Sequence, residues 1–206
     1  MRELPMGHDR VIFSEMMTHP ALFTHRSPQK IALINPQNDD ILREILKHPT
    51  VKTVHLVQEN LLTELNDPRI HTQAFIHLEP ETFDVVIHVN KILFDPLPNY
   101  FKLLKKEGLL VQQSNSFFEL ELMKEHMQHL KNNGFSDFNL LHFPQSTGLQ
   151  SAIMAIKQGD FKRVSEKIIY NKSFSTNYYN FDIHKAAMVL PEFIRKEDLI
   201  SAENCQ

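Results

Sequence analysis

The chain of 206 residues carries 22 Lys and Arg against 25 Asp and Glu, a formal net charge of −3. This length suits one domain with a full core, and the interspersed charges exclude a basic nucleic-acid footprint. No apolar run approaches the ~18 residues of a membrane span, and the N-terminus has no signal-peptide core. The single Cys205 cannot form an internal disulfide. We therefore expect a cytoplasmic protein that binds neither nucleic acid nor membrane.

The glycine content restricts the kinds of ligand site. The chain has only five glycines, and no two are adjacent, where average usage predicts about 14. This pattern excludes a glycine-rich phosphate or dinucleotide loop.

The first half of the chain alternates helical and strand patterns. In chain order, the patterns predict a helix over Val11–Thr18, capped by Asp9 and ended by His19-Pro20, then a strand at Lys30–Ile34, a helix at Asp39–His48, a strand at Val51–Val57, a helical turn at Glu59–Leu65, and strands at Ile70–His77 and Phe83–Val89.

The second half ends in two consecutive strands. The patterns predict a helix over Pro98–Lys106, a strand over Gly108–Gln113, a long helix over Phe117–Asn133 ended by Gly134, a hairpin of Phe138–Phe143 with Gln150–Lys157, and helices over Asp160–Tyr170 and His184–Leu190. The whole order favours an α/β fold with a doubly wound, mostly parallel sheet and a C-terminal antiparallel hairpin. Residues 1–29 are predicted to form an N-terminal helix and linker, and residues 30–206 the α/β domain.

Ligands of such sheets bind beyond the carboxyl ends of the central strands. Four segments should therefore line any site: Asn35–Asp40, Val57–Asn60, Phe75–His77 and His88–Pro96.

Several segments, in order, resemble the polyamine aminopropyltransferases, of which spermidine synthase is the common member. They are SEMMTHPALFTHRSPQKIALI, ILREILKHPTVKTVHLV, ETFDVVI, LLVQQSNSFF and YYNFDIHKAAMVLPEFI. The resemblance implies a class I methyltransferase-like, Rossmann-like fold. The implied reaction moves an aminopropyl group from decarboxylated S-adenosylmethionine to putrescine, without a cofactor. We expect the family's small N-terminal β-domain to be absent, and residues 1–29 to be a remnant of the family's N-terminal region.

The resemblance also aligns the family's site with particular residues. Ser14 aligns with a residue of the family's Tyr-His pair, which faces the substrate. Asn38 aligns with the Asp of the family's GGGDG loop. Gln58 replaces the carboxylate that holds the ribose, and His77 falls where the family contacts adenine. A neutral amide in place of the ribose-binding carboxylate gives up a charge-assisted hydrogen bond worth about 1.5–3 kcal/mol.

The substitutions at the catalytic loop are the most severe. Val89 stands at the position of the general base, and Ile92 at that of the second, amine-binding carboxylate, while Pro96 retains a family proline. The resemblance therefore implies a spermidine synthase-like protein with weak or no transferase activity, for which decarboxylated S-adenosylmethionine is a co-substrate only if activity remains. No catalytic residue is assigned.

Two further classes of function stay open. One is a non-catalytic partner, a homodimer or a heteromer with another polyamine enzyme. The other is a binding module for another small molecule, such as a nucleoside or a polyamine, in the remodelled cleft. We expect His77 and His88 at this cleft.

Other polar residues have structural and functional interpretations. Asp39 and Asp40 suit the first turn of a helix, with replacement amine ligands as the alternative; Asp95 suits an exposed turn, with a substitute carboxylate as the alternative. His126 and His129 fit a solvated helix face, and no third ligand accompanies them as a zinc site requires. No metal is expected.

Overall fold

The computed structural model describes residues 6–57, 65–90 and 99–195. Its helices are α1 (Met6–Thr24), α2 (Asp40–Leu46), α3 (Tyr100–Leu103), α4 (Leu120–Asn132), α5 (Glu166–Tyr170), α6 (Phe181–Ala186) and α7 (Glu192–Arg195). Its strands are β1 (Lys30–Ile34), β2 (Thr53–Val57), β3 (Ile70–Thr72), β4 (Phe83–His88), β5 (Leu104–Ser114), β6 (Asp137–Gln145) and β7 (Gly148–Ile156). No helix among these residues is long and apolar enough to span a bilayer.

The seven strands form one sheet in the order β3-β2-β1-β4-β5-β7-β6. Neighbours from β3 to β5 are parallel, whereas β7 is antiparallel to both β5 and β6. This confirms the predicted doubly wound sheet with a C-terminal antiparallel hairpin. The chain order reverses between β1 and β4, so their adjacent carboxyl ends form the crevice where such folds bind ligands.

Alternate residues of each strand enter two different apolar layers, as the period of a β-strand requires. On one face, Ile31, Leu33, Val85 and Ile87 pack with α1 and α2. On the other face, Ala32, Ile34 and Val86 pack with α3 and α4. Both faces of the central strands are covered, which explains why these strands are continuously apolar.

The N-terminal helix corrects the predicted end at His19-Pro20. Pro20 lies inside α1, which continues to Thr24. The proline removes one backbone hydrogen bond, but the neighbouring Met16, Met17 and Ala21 are completely buried, so packing holds the helix together. Asp9 does not cap α1 but lies within it, and its carboxylate accepts a hydrogen bond from the backbone N–H of Ser146 at 2.9 Å.

Two predictions near the middle of the chain were wrong. The strand predicted over Ile70–His77 ends at Thr72 and is followed by a 3₁₀ turn, Phe75–His77. The helix predicted over Pro98–Lys106 stops at Leu103, because Leu104 pairs with Phe83 and starts β5. Tertiary pairing overrides local propensity there.

Two C-terminal helices also differ from their predictions. The helix expected over Asp160–Tyr170 is confined to Glu166–Tyr170, since Phe161 and Val164 pack against the core from an irregular segment. The helix expected over His184–Leu190 is Phe181–Ala186 instead, because the Asn180 side chain accepts from the Ile183 N–H and starts the helix earlier. The helical turn predicted at Glu59–Leu65 lies almost entirely outside the described residues.

Candidate functional site

The candidate site lies at the carboxyl edge, the edge of the sheet where β1, β4 and β5 end. The two central strands stay joined there, since the Val89 N–H donates to the Ile34 carbonyl at 3.0 Å. Asn35 then leaves β1 with a φ of +52°, and its side chain is exposed. This left-handed conformation favours glycine and, among other residues, asparagine. Asn35 therefore allows a sharp turn after β1 without a glycine and adds an amide to the edge.

Behind Asn35, a line of hydrogen-bonded polar side chains runs under α4. The Gln112 amide nitrogen lies 2.8 Å from His88 Nδ1, and Gln112 Oε1 lies 2.8 Å from His126 Nε2. The Ser114 hydroxyl lies 3.1 Å from His126 Nδ1, and Asn35 Nδ2 lies 3.5 Å from His88 Nε2. We call these five side chains the polar chain.

The amide orientation of Gln112 sets the tautomers of both histidines. With its nitrogen toward His88, the amide donates to Nδ1, so His88 carries its proton on Nε2. Gln112 Oε1 then accepts from His126 Nε2–H, and His126 Nδ1 accepts from the Ser114 hydroxyl. Rotating the amide by 180° reverses these bonds, and His88 Nε2 becomes an acceptor for the Asn35 amide. The nitrogen that His88 turns toward Asn35 is thus a donor in one state and an acceptor in the other.

Burial keeps both imidazoles neutral. His88 is 5% exposed and His126 is 9% exposed, and loss of solvation lowers the pKa of each to about 4. For His126, the charges of His129 and His88 lower the pKa further. The polar chain therefore offers hydrogen bonds but no charge at neutral pH. It suits recognition of a neutral polar group rather than of an ammonium.

The structure separates the residues that the resemblance aligned with the family's site. Ser14 is buried on α1, where its hydroxyl donates to the Val11 carbonyl of its own helix at 3.1 Å. The side chain of Asn38 accepts from the Asp40 N–H at 2.9 Å, before α2. His77 is exposed at the end of its 3₁₀ turn, and the structure does not join it to the polar chain. Gln58 and Pro96 lie outside the described residues, as do Ile92 and Asp95.

The position aligned with the general base is hydrocarbon. Val89 follows β4 and is 3% exposed within the apolar layer beneath α1 and α2. It faces the layer opposite to that of the polar chain, as adjacent strand residues must.

The acidic residues of the edge stand at the start of α2. The Asp40 carboxylate forms an ion pair with the Arg10 guanidinium, with 2.7 Å between Oδ2 and Nε. Among the residues that the structure describes, Asp39 Oδ1 is buried and has no hydrogen-bond partner. Buried acceptors without partners are uncommon in native proteins, so Asp39 is the acidic residue of this edge that retains an unused acceptor.

The histidine pair on α4 does not share the predicted solvated face. His129 is exposed, but His126 is buried and held by Gln112 and Ser114. Across residues 6–57, 65–90 and 99–195, no three His, Cys, Asp or Glu side chains converge as metal ligands.

Sequence reasoning missed Gln112, Ser114 and His126 as neighbours of His88. The available signal was the alternation of Gln112 and Ser114 directly after the apolar run Leu109–Val111. A polar pair on one face of a buried strand requires a polar partner. That partner could be named only once the register placed Gln112 opposite His88.

Comparison with known proteins gives sequence relatives and structural neighbours. A family model described as the spermine/spermidine synthase domain matches residues 10–60. The polyamine aminopropyltransferase of Alkalilimnicola ehrlichii is 34% identical over 222 residues, covering 92% of this chain and 78% of the relative. That of Nitrosococcus oceani is 32% identical over 224 residues, covering 93% and 78%.

Solved structures agree on the fold. Spermidine synthase from Thermotoga maritima aligns with a TM-score of 0.79 at 23% identity, covering 92% of this chain and 74% of that one. A spermidine synthase in complex with the transition-state analogue AdoDATO aligns with a TM-score of 0.78 at 23% identity, covering 92% and 75%. Because these aminopropyltransferases are 32–34% identical over more than 90% of this chain, the chain belongs to the polyamine aminopropyltransferase family.

Proposed function

We propose that this chain is a spermidine synthase-like protein that carries out aminopropyl transfer weakly or not at all. The family reaction breaks a sulfonium C–S bond of decarboxylated S-adenosylmethionine and forms a C–N bond to putrescine. The attacking nitrogen is protonated at neutral pH and must lose a proton to react. A base placed beside this nitrogen is therefore the central requirement.

The single observation that carries the proposal is the burial of Val89 at the general-base position. A 3% exposed hydrocarbon cannot accept a proton. The adjacent His88 is a poor substitute, because a group with a pKa of about 4 binds protons too weakly to deprotonate an ammonium. Loss of a positioned general base costs roughly 10²–10⁴ in rate.

The remaining charges of the carboxyl edge support the same conclusion. Putrescine is a dication, and its binding is favoured by carboxylates that no cation already neutralises. Asp40 is paired with Arg10. Asp39 is the second carboxylate at the start of α2, but its Oδ1 is buried, and the polar chain adds only neutral groups.

Asp39 favours a second candidate function, which is binding of an amine or nucleoside without transfer. Its buried Oδ1 has no partner among the described residues, so a ligand donor that gains access to it forms a hydrogen bond without breaking an existing one. Asn35, just after β1, and His88, at the end of the neighbouring β4, add neutral donors and acceptors. A ligand held there would be bound but not activated.

The test is formation of 5′-methylthioadenosine from decarboxylated S-adenosylmethionine and putrescine. The Alkalilimnicola ehrlichii relative, assayed in parallel, serves as the positive control. We expect a turnover at least 100-fold below that of the relative, in line with the loss of a general base. A comparable turnover would overturn the proposal.

Calorimetry with 5′-methylthioadenosine and with putrescine separates the two candidate functions. Saturable heat that is lost in Asp39→Asn but kept in Asp182→Asn, an exposed acidic residue of α6, supports binding without transfer. Absence of heat at millimolar ligand contradicts the second candidate.

A further inference from the structure

A second cleft lies away from the carboxyl edge, between β6 and the segments that follow β7. Its volume is about 560 Å³, within the range of small-molecule sites. Residues of α6, α7 and the irregular segment before α5 line it, together with Thr24 and Asn139. One wall residue, Lys162, donates a hydrogen bond to Glu107 near the start of β5. Ser114 of the polar chain lies seven residues further along the same strand, which corresponds to about 23 Å. This wall of the cleft is therefore far from the carboxyl edge.

The walls of this cleft carry several fixed positive charges. Lys162, Arg163, Lys185 and Arg195 all line it. None of the described residues that line the cleft is Asp or Glu. The cleft therefore presents four cationic side chains on a concave surface, an arrangement that favours anions.

Three of these cations, Lys162, Lys185 and Arg195, have acidic partners that do not line the cleft. Lys162 meets Glu107 at 2.7 Å, Lys185 meets Asp182 at 3.4 Å, and Arg195 meets Glu192 at 3.9 Å. All three acids are well exposed, and exposed pairs contribute only about 0–1 kcal/mol. An anion inside the cleft can therefore compete for these cations.

The remaining walls are apolar apart from Thr24, Asn139 and His184. Phe161, Phe181 and Met188 line the cleft, and the Lys185 ammonium lies 4.6 Å from the centroid of the Phe181 ring. His184 is buried, accepts or donates a hydrogen bond with the Tyr179 hydroxyl at 2.8 Å, and has a pKa lowered to about 4 by loss of solvation. It adds a neutral polar edge to an otherwise hydrophobic wall.

We propose that this cleft binds a phosphomonoester with an apolar or aromatic body. A phosphomonoester carries a charge of about −1.5 to −2 at pH 7, which matches a cluster of cations better than the single charge of a carboxylate. The Arg195 guanidinium can bind two phosphate oxygens at once, and the phenylalanine and methionine side chains cover the body. The site is independent of the carboxyl edge, so its test does not depend on transferase activity.

Calorimetric titration with 1-naphthyl phosphate tests the proposal on the full chain. We expect saturable binding with one ligand per chain, weakened at least tenfold in the double variant Lys185→Gln/Arg195→Gln. Both side chains are exposed, so the variant should keep its fold and its thermal unfolding midpoint. Lys106→Gln, an exposed lysine of β5 outside the cleft, should bind as the parent does. No heat at millimolar ligand, or equal binding by the double variant, overturns the proposal.

Three comparison ligands test the chemical class. Inorganic phosphate and 1-naphthol should each bind at least tenfold more weakly than 1-naphthyl phosphate, because each lacks one half of the ligand. Equal binding of inorganic phosphate would contradict the role of the apolar walls. Tighter binding of 1-naphthoate would contradict the phosphomonoester and assign the cleft to carboxylates.

Discussion

His88 and Gln112 lie opposite each other on the adjacent parallel strands β4 and β5, with the Gln112 amide nitrogen 2.8 Å from His88 Nδ1. The same amide holds His126 through its oxygen. One side chain thus fixes the tautomers of two buried imidazoles. The carboxyl edge of this protein is organised by neutral hydrogen bonds where the family resemblance expects carboxylates.

Replacement of Gln112 by Met should destabilise the fold. Met fills a similar volume but leaves one buried nitrogen of His88 and one of His126 without a partner, and each unsatisfied group costs roughly 1–3 kcal/mol. Urea unfolding measures the loss. The neighbouring half-buried Gln113 points to the other face of β5, so Gln113→Met should cost clearly less; equal losses would mean that the polar chain adds no specific stability.

Acid should destabilise the protein well before its carboxylates titrate. Burial lowers the pKa of His88, His126, His142 and His184 to about 4 each. Between about pH 6.5 and pH 4 the unfolded chain therefore binds protons that the folded chain does not, so this stability is complete above about pH 6.5 and is lost as the pH falls through that window.

Each of these imidazoles contributes on the order of 3 kcal/mol over the full window. Urea unfolding at pH 7.5, 6 and 5 should therefore give a steadily smaller free energy of unfolding. The variant His184→Gln should lose less stability than the parent between pH 7.5 and pH 5. An unchanged free energy of unfolding across this range would contradict the neutral state of the buried histidines.

Glu15 should hold the aromatic C-terminal segment on α1. Its fully buried carboxylate accepts the backbone N–H groups of Asn177, Tyr178 and Tyr179 at 2.7–2.9 Å. In Glu15→Gln, an NH₂ group replaces one of the two accepting oxygens and faces backbone N–H groups, which are also donors. We therefore expect the free energy of unfolding to fall by about 2–4 kcal/mol and hydrogen exchange at these three amides to become faster. Exposed Glu166→Gln on α5 is the control; unchanged exchange in Glu15→Gln would refute the role.

Gly134 should not tolerate a side chain. It ends α4 with a φ of +101°, and an added Cβ would lie 3.2 Å from the Phe101 ring. Gly148 has a φ of +123° but open space around it, so Gly148→Ala reports the backbone strain alone, about 1 kcal/mol. We expect Gly134→Ala to lower the free energy of unfolding by a further amount that reflects the contact with Phe101. Equal effects of the two variants would show that the ring moves aside freely.

A carboxylate restored at position 89 should not restore transfer. Val89→Asp supplies the missing base, but burial in an apolar layer raises the pKa of such a carboxyl and favours its neutral form. We expect a rise in 5′-methylthioadenosine formation of less than tenfold over the parent and over Val89→Asn. A gain of 100-fold or more in the Asp variant alone would mean that both substrates already bind in productive positions, and that only the base is missing.

The periodicity of apolar residues in the sequence predicted the main features of the fold. Lys30–Ile34 was predicted with its observed bounds, and the strand at Phe83–Val89 differs by one residue. Such buried parallel strands are continuously apolar, which makes them easy to recognise. Asn133-Gly134 likewise marked the end of α4, because the backbone there needs a positive φ.

Only the tertiary structure decided the elements whose local signals conflict with their packing. Pro20 breaks isolated helices, yet the burial of Met16 and Met17 carries α1 past it. Leu104 begins a strand because Phe83 lies beside it. The sequence predicted that the carboxyl edge lacks the family's carboxylates and glycines. It did not predict the polar chain. Gln112, His126 and His88 are far apart in sequence. Their side chains form hydrogen bonds only because β4 pairs with β5 in this register and α4 packs against the sheet.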